Sequence, residues 1–322
     1  MFKKLMAKFG VGAATVDLRL DQPTYRLGET VTGHIHIEGG NVEQRITELS
    51  VLLMMNARVK GQIVTRQVEA VQVAHSFKVL PKPYTVDIPV SFELPQGLAI
   101  SSPSIQYGLQ TKMDVEMALD PTDMDQVQVL PPEPVERVLN AFGRLDLRHK
   151  PDSGGLTPYG QEFSFFAGPA LGLPLRELDV VFYSTPGEMR LLLELDLTVP
   201  GMLMGRQKEY KAELIVPQEL LAAEKEEELS RFLQEKLREY AENPQSIPYV
   251  SMASYQQMHG GHHGRPGIGG MIGGMAAGFL GGMLLGELMS DAGEFASGES
   301  GDESGGDEGG DMDFDFGGFD DL

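Results

Sequence analysis

The stretch from Ile105 to Pro134 constrains the fold most, because its pattern predicts a strand, a turn, a second strand and a stop within about thirty residues. Side chains of opposite character alternate along its first part, which is the period of a half-buried strand. One parity carries Tyr107, Leu109, Thr111, Met113, Val115 and Met117, and the other carries Gln106, Gln110, Lys112, Asp114 and Glu116. This alternation predicts a strand with one buried face.

An acidic turn is predicted over residues 118–125, because Pro121 cannot donate to a strand ladder and aspartates favour turns. The candidate structural turn consists of Leu119, Asp120, Pro121 and Asp123. We expect Leu119 to be buried at the foot of a first β-sandwich, and Asp120 or Asp123 to accept backbone N–H bonds. A brief strand at residues 127–129 should follow, and three prolines at 131–134 then predict a domain boundary.

Alternating strands joined by glycine and proline turns recur on both sides of this boundary, with a short helix directly after it. The pattern predicts a mainly β chain with two tandem antiparallel β-sandwiches, since each sheet must bury one apolar face. The expected organisation is a first sandwich at 1–131, a second at 132–217, an amphipathic helix at 218–243, a linker at 244–265, a glycine-rich segment at 266–289 and a disordered acidic tail at 290–322.

Charge and cysteine content narrow the class of protein. Thirteen acidic residues lie from Glu287 onward without any lysine or arginine, so removing them from the net charge of -21 leaves -8 for the rest. That balance argues against binding to nucleic acid phosphates. The absence of cysteine excludes disulfides and thiolate sites. No apolar run that could be a secretory signal precedes Gly10, so we expect a cytoplasmic protein.

No constellation of residues predicts catalysis. The sequence has no GxSxG elbow, phosphate-binding Walker loop, HExxH helix or dinucleotide fingerprint. Glu194 and Asp196 lie two apart on one strand face, where a solvated sheet face explains them more simply than a glycosidase pair. His34 and His36 have the spacing of two metal ligands but no third ligand nearby. We therefore expect no enzyme activity, no cofactor and no metal site.

A glycine ridge is the candidate site for helix association, because glycine recurs every four residues with methionine, leucine, isoleucine and phenylalanine between. Its members are Gly270, Gly274, Gly278, Gly282 and Gly286. In a helix this spacing would allow self-association or membrane insertion, whereas the cost of glycine in a helix favours a disordered spacer. The basic and apolar N-terminal residues 2–9 offer either a peripheral membrane contact or a frayed end.

Several segments resemble a known family, the bacterial sporulation-control proteins of arrestin-like fold. The similar segments are Tyr25-Arg26-Leu27-Gly28-Glu29, Val31-Thr32-Gly33, Ile37-Glu38-Gly39-Gly40, Ala118-Leu119-Asp120-Pro121-Thr122-Asp123, Gln161-Glu162-Phe163 and Glu177-Leu178-Asp179-Val180-Val181-Phe182. The resemblance covers about residues 1–217. It implies two arrestin-type sandwiches and a non-enzymatic regulatory or adaptor role through protein partners. The alternative is a self-assembling, membrane-associated scaffold that uses the glycine-rich segment.

Overall fold

The structure is a computed structural model that describes residues 12–59, 61–116, 120–185, 187–199, 206–244, 247 and 279–284. Its strands are β1 (Thr15–Leu20), β2 (Thr24–Arg26), β3 (Thr30–Glu38), β4 (Gln44–Val59), β5 (Gln62–Val79), β6 (Thr85–Glu93), β7 (Ile105–Val115), β8 (Thr122–Leu130), β9 (Leu147–His149), β10 (Gly155–Thr157), β11 (Gly160–Ala167), β12 (Leu175–Thr185), β13 (Glu188–Val199) and β14 (Arg206–Val216). Its α-helices are α1 (Glu133–Arg144) and α2 (Glu226–Glu242). The prediction of a mainly β chain is confirmed.

Strands β1 to β8 make the first half, which contains two sheets. The smaller sheet has the order β1-β3-β6, and the larger has the order β2-β8-β7-β4-β5. Alternation along each strand turns one row of apolar side chains inward, as Val31, Ile35 and Ile37 show on β3. These side chains join those of β4 and β7 in one buried cluster. The first half is therefore a β-sandwich, with β5 as the last strand of its larger sheet.

The predicted turn before β8 is shorter than the sequence suggested. β8 begins at Thr122, whereas the acidic composition had placed a turn through Asp125 and only a brief strand after it. Pairing with β7 overrides the turn preference of the aspartates, since Thr122 lies opposite Lys112 and Asp125 lies opposite Leu109. Tertiary pairing commonly overrides local propensity in this way.

The second half runs from α1 to α2, and its described strands form one sheet of order β10-β11-β12-β13-β14, with β9 also paired to β11. One face of this sheet is apolar because Leu178, Val180 and Phe182 share a parity on β12. Both helices bury apolar side chains in the same core cluster as the sheet. On α1, the Phe142 ring lies 5.5 Å from the ring of Phe165 on β11.

The C-terminal helix begins later than residue 218, where the sequence had placed its start. Two short 3-10 turns at Gln218–Leu221 and Ala223–Lys225 come first, because Ala222 between them is extended at φ -73° and ψ 149°. α2 then begins at Glu226, with three glutamates in its first turn, where the helix dipole favours negative charge. Its buried stripe is Leu229, Leu233, Leu237 and Tyr240. Among the described residues, no helix is long and apolar enough to span a membrane.

Candidate functional site

Gln161 is a buried amide that ties the two halves together. Its side chain is fully buried at the start of β11. The Ile100 N–H donates to Gln161 Oε1 at 2.7 Å, while Gln161 Nε2 donates to the carbonyls of Ile100 and Gly154 at 2.9 Å each. One side chain thus pairs both polar groups of a first-half residue and one carbonyl of the second half. A buried amide of this kind fixes the backbone groups that it pairs, because leaving any of them buried without a hydrogen-bond partner would cost free energy.

The loop of the first half that meets Gln161 is itself fixed by hydrogen bonds. Ser102 Oγ donates to the Gly154 carbonyl at 2.9 Å, and Tyr107 Oη donates to the Ala99 carbonyl at 2.8 Å. Burial raises the pKa of the Tyr107 hydroxyl, so the group stays a donor. Gly154 has φ +83°, and a Cβ there would lie 2.7 Å from Ser102 Cβ. At this junction the backbone of Gly154 therefore packs directly against Ser102.

Residues 279–283, which we name the docked segment, lie against this junction. The Leu280 N–H donates to the Phe182 carbonyl at 3.2 Å, and the Gln161 N–H donates to the Leu280 carbonyl at 2.7 Å. Two further bonds reach the first half: Gly281 N–H to the Leu98 carbonyl at 3.2 Å, and Met283 N–H to the Gly97 carbonyl at 3.1 Å. The docked segment is thus bound through its backbone by both halves.

Side chains of the docked segment also contact the junction. The Phe279 ring lies 5.0 Å from the Tyr183 ring at an interplanar angle of 62°, an edge-on arrangement. Leu280 is buried in the common core. Gly281 has φ +78°, and a Cβ there would stand 3.0 Å from Leu156 Cδ2. The segment therefore offers an aromatic ring, a buried leucine and a glycine that other residues replace poorly.

A second polar link lies where the halves join along the chain. Arg26 Nη2 is 2.6 Å from Glu136 Oε2 on α1, and Arg26 Nη1 donates to the Pro131 carbonyl at 2.7 Å. The Glu29 carboxylate in turn accepts from the Arg26 backbone N–H at 2.7 Å. Arg26 belongs to the segment Tyr25-Arg26-Leu27-Gly28-Glu29, which resembles the sporulation-control proteins. Its side chain links that segment to Pro131 in the connector and to Glu136 on α1.

The β5 edge is the second feature of the surface. β5 has 18 residues and is the last strand of its sheet. Apolar side chains on the neighbouring β4, such as Leu49 and Val51, are fully buried. On β5 two apolar side chains, Val64 and Val79, are buried, and the others that pack on the core stay partly exposed, namely Val68, Val71, Val73, Ala74 and Phe77. Ile63 is 70% exposed.

The candidate turn residues lie at two places. Asp120 Oδ1 accepts the Val115 N–H at 2.9 Å across the end of β7. Asp123 is on β8, and its Oδ2 accepts the Leu18 N–H of β1 at 3.0 Å, which links the two sheets. Pro121 accepts through its carbonyl from the Met113 N–H at 3.1 Å. Leu119 lies outside the described residues, so its burial stays a prediction.

Asp125 is the carboxyl with a strongly perturbed pKa near this turn. Burial raises its pKa to about 6, and the nearby carboxylates of Asp123 and Asp17 contribute to the same rise. Its Oδ2 is buried without a hydrogen-bond partner among the described residues. No group of three or more acidic or histidine residues with metal-site geometry occurs in the described ranges. Asp120 and Asp123 act at this end as hydrogen-bond acceptors.

The glycine ridge is described only at Gly282. There it lies in a 3-10 turn over Gly282–Leu284, and its N–H donates to the Phe279 carbonyl at 3.0 Å. The positive φ of Gly281 is incompatible with a continuous α-helix at this point. Gly270, Gly274, Gly278 and Gly286 lie outside the described residues. Association through these four glycines stays a prediction, while Gly282 belongs to the turn of the docked segment.

The carboxylates weighed as a glycosidase pair lie on the polar face of the third sheet. Glu194 Oε2 is 3.2 Å from Lys211 Nζ, and Asp196 Oδ2 is 3.1 Å from Arg176 Nε. Burial raises the pKa of Glu162 on the same face, helped by nearby carboxylates. Ion pairing of both residues to neighbouring strands is the arrangement of a charged sheet surface.

Sequence reasoning missed Gln161 as a site residue and, apart from Gly282 of the glycine ridge, missed the docked segment as well. One local signal was present for Gln161, since it shares the buried parity of Phe163 and Phe165 on β11. A polar residue on a buried parity requires partners. For Phe279 and Gly281 there was no such signal, because a short stretch of apolar residues and glycine does not indicate which surface it contacts.

Comparisons with known proteins agree with this architecture. The family described as SpoOM protein matches residues 2–199. The sporulation-control protein spo0M of Bacillus subtilis (strain 168) is 30% identical over 263 residues, which cover 75% of this chain and 99% of that protein. The crystal structure of Spo0M from Bacillus subtilis aligns with a TM-score of 0.55 and 25% identity over 72% of this chain and all of that chain.

The likeness in structure is consistent with the arrestin-like β-sandwiches expected from the sequence, so the predicted fold class is confirmed. The family match covers more than half of the chain and includes the segments on which the resemblance was based. This chain therefore belongs to the SpoOM family of sporulation-control proteins.

Proposed function

We propose that this protein is a non-enzymatic adaptor in sporulation control that binds a protein partner by adding a strand of the partner to β5. The observation that carries the proposal is the β5 edge, an 18-residue strand that ends its sheet. An extended peptide can join such an edge, where main-chain hydrogen bonds give affinity and side chains on alternate positions give specificity.

The side chains of β5 suit a partner strand. Val68, Val71 and Phe77 pack on the core but remain partly exposed. A strand laid beside them would remove apolar surface from water at about 25 cal/mol per Å². Each partly exposed side chain therefore becomes a source of binding energy when the partner strand is present.

The β5 edge lacks several of the usual protections of an edge strand, although two β-bulges interrupt its pairing with β4, between Leu49 and Ser50 and between Leu53 and Met54. Natural sheets block their edges with proline, lysine or very short strands. β5 contains no proline, and its one lysine, Lys78, is paired with Glu43 at 2.8 Å. A long edge without these features is suited to pairing with another chain.

Photo-crosslinking tests the proposal in the cell. A benzoylphenylalanine placed at Gln67 or Gln72, both exposed on β5, should form an adduct with one partner. The control position is Gln126, which is exposed on β8 of the same sheet, separated from β5 by β4 and β7, and should give no adduct. The crosslinked peptide then identifies the segment of the partner.

Binding of the identified partner is then measured with purified proteins. Ile63→Lys together with Gln72→Lys should weaken binding at least about tenfold, because lysine blocks edge pairing, whereas Gln126→Lys should leave it unchanged. Hydrogen exchange should show slower exchange of β5 amides in the complex. A partner that binds the lysine variants as tightly as the wild type, with no protection of β5, would show that the adaptor uses another surface.

A further inference from the structure

We propose that the junction between the two halves is a peptide-binding groove, and that the docked segment is its resident intramolecular ligand. The groove would accept a short segment of a partner that carries an aromatic residue, a leucine and a glycine of positive φ in succession. The site is separate from the β5 edge. The docked segment also lies outside residues 2–199, over which the family model matches.

Backbone bonding shows that the groove recognises the main chain of the docked segment, which makes one bridge at Phe279 and then turns at Gly281. Four hydrogen bonds join the docked segment to the rest of the protein, through Phe182 and Gln161 in the second half and Leu98 and Gly97 in the first. An isolated antiparallel bridge pairs Phe279 with Tyr183. Peptide recognition commonly combines such main-chain bonds with pockets for a few side chains. The junction has the same combination.

The groove selects its ligand through three positions. Phe279 meets the Tyr183 ring, and Leu280 fills a buried position. The third position takes glycine, because at φ +78° a Cβ on Gly281 would also lie 3.2 Å from Ala99 Cβ and 3.3 Å from Gln161 Cβ. The surrounding atoms belong to the groove itself, so the same restriction applies to a segment from another protein.

Occupation by the docked segment is an intramolecular equilibrium. Thirty-one residues separate Ile247, near the end of α2, from Phe279. Effective concentrations of tethered ligands are typically in the millimolar range. With an effective concentration of about 1 mM and a Kd of about 0.1 mM, the groove is about nine-tenths filled by its own segment. An external peptide should therefore bind about tenfold more tightly once that segment is displaced.

The test uses the full-length chain and a labelled peptide of residues 275–287. Gly281→Val should displace the docked segment, and fluorescence anisotropy should show about tenfold tighter peptide binding to this variant than to the wild type. The matched control is Gly187→Val, since a Cβ added at Gly187 would have no heavy atom within 4 Å and Gly187 lacks positive φ. It should bind the peptide as the wild type does.

Two further variants identify the groove. Gly97→Val in the Gly281→Val chain should weaken peptide binding, because a Cβ on Gly97 lies 3.2 Å from Met283 Cβ. A peptide that itself carries Gly281→Val should not bind. Equal binding of the two peptides, or equal binding to the wild-type and Gly281→Val chains, would overturn the proposal.

A second measurement works without added peptide. The chain contains no tryptophan, so Phe279→Trp supplies a single fluorescent reporter in the segment. When Gly281→Val is added to this variant, the tryptophan emission should shift to longer wavelength and acrylamide quenching should increase. Thermal unfolding of the rest of the protein should stay unchanged. Emission that is the same with and without Gly281→Val would contradict a displaceable segment.

Discussion

Replacement of Gln161 by leucine tests whether one buried amide holds the two halves together. Leucine has a similar size but cannot pair with Ile100 or Gly154. The Ile100 N–H and carbonyl would lose the partners that they have at 2.7 and 2.9 Å. The Gly154 carbonyl would keep its bond from Ser102 Oγ at 2.9 Å. Two backbone groups, and not three, are therefore left without their side-chain partner.

The magnitude follows from those two groups. A buried polar group that loses its partner costs about 1–3 kcal/mol, so the pair costs about 2–6 kcal/mol. Extra apolar surface of the leucine returns about 1 kcal/mol. We expect Gln161→Leu to lower the free energy of unfolding by about 1–5 kcal/mol. Urea unfolding followed by circular dichroism measures this change, since the chain has no tryptophan.

Gln161→Glu is the matched variant, because it keeps the shape and Oε1 but replaces the donor Nε2 with an acceptor. Burial should raise the pKa of the new carboxyl above its unfolded value. Its protonated form can donate to one carbonyl, so the variant should gain stability relative to wild type as the pH falls from about 7 to about 4. A loss below about 1 kcal/mol for Gln161→Leu, together with no pH dependence for Gln161→Glu, would refute the role given to this amide.

Three further predictions concern the rest of the fold. The folded pKa of Asp125 is about 6 against an ordinary value of 3.8, so its ionisation destabilises the fold progressively as the pH rises from about 4 to 6. Asp125→Asn should therefore raise the urea midpoint at about pH 7 but not at about pH 3.5, and an equal effect at both pH values would contradict the shift caused by burial and Asp123. Phe142→Ala should cost about 3–5 kcal/mol because its buried ring fixes α1 on the sheet; the control Phe166→Ala, at a side chain 48% exposed, should cost less than about 1 kcal/mol in the same assay. Leu119→Ala should lower stability by about 2–5 kcal/mol if Leu119 is buried as the sequence predicts, and an unchanged melting temperature would show that it is exposed.

Much of the fold followed from periodicity within single segments. The alternation along β7 and β13 predicts both strands and their buried faces, because the side chains of a strand point alternately to its two sides. Helical spacing likewise predicts α1 and the buried stripe of α2. Errors occurred where local preference and pairing disagree: Thr122 to Asp125 pair with β7 despite their turn composition, and Ala222 is extended inside the segment that was assigned to the helix.

The candidate sites depend on contacts that no local pattern contains. Gln161 meets Ile100 across 61 residues of sequence, and the docked segment meets Gln161 and Leu98 across still greater separations. β5 looks like its neighbours in sequence, and only the strand order makes it the edge of its sheet. The sequence by itself determined which side chains face inward, because the period of each strand or helix is set by local backbone geometry. The tertiary structure alone decided which strand ends a sheet and which backbone groups Gln161 and Gly281 meet, because those partners are brought together only when distant segments pack around a common core.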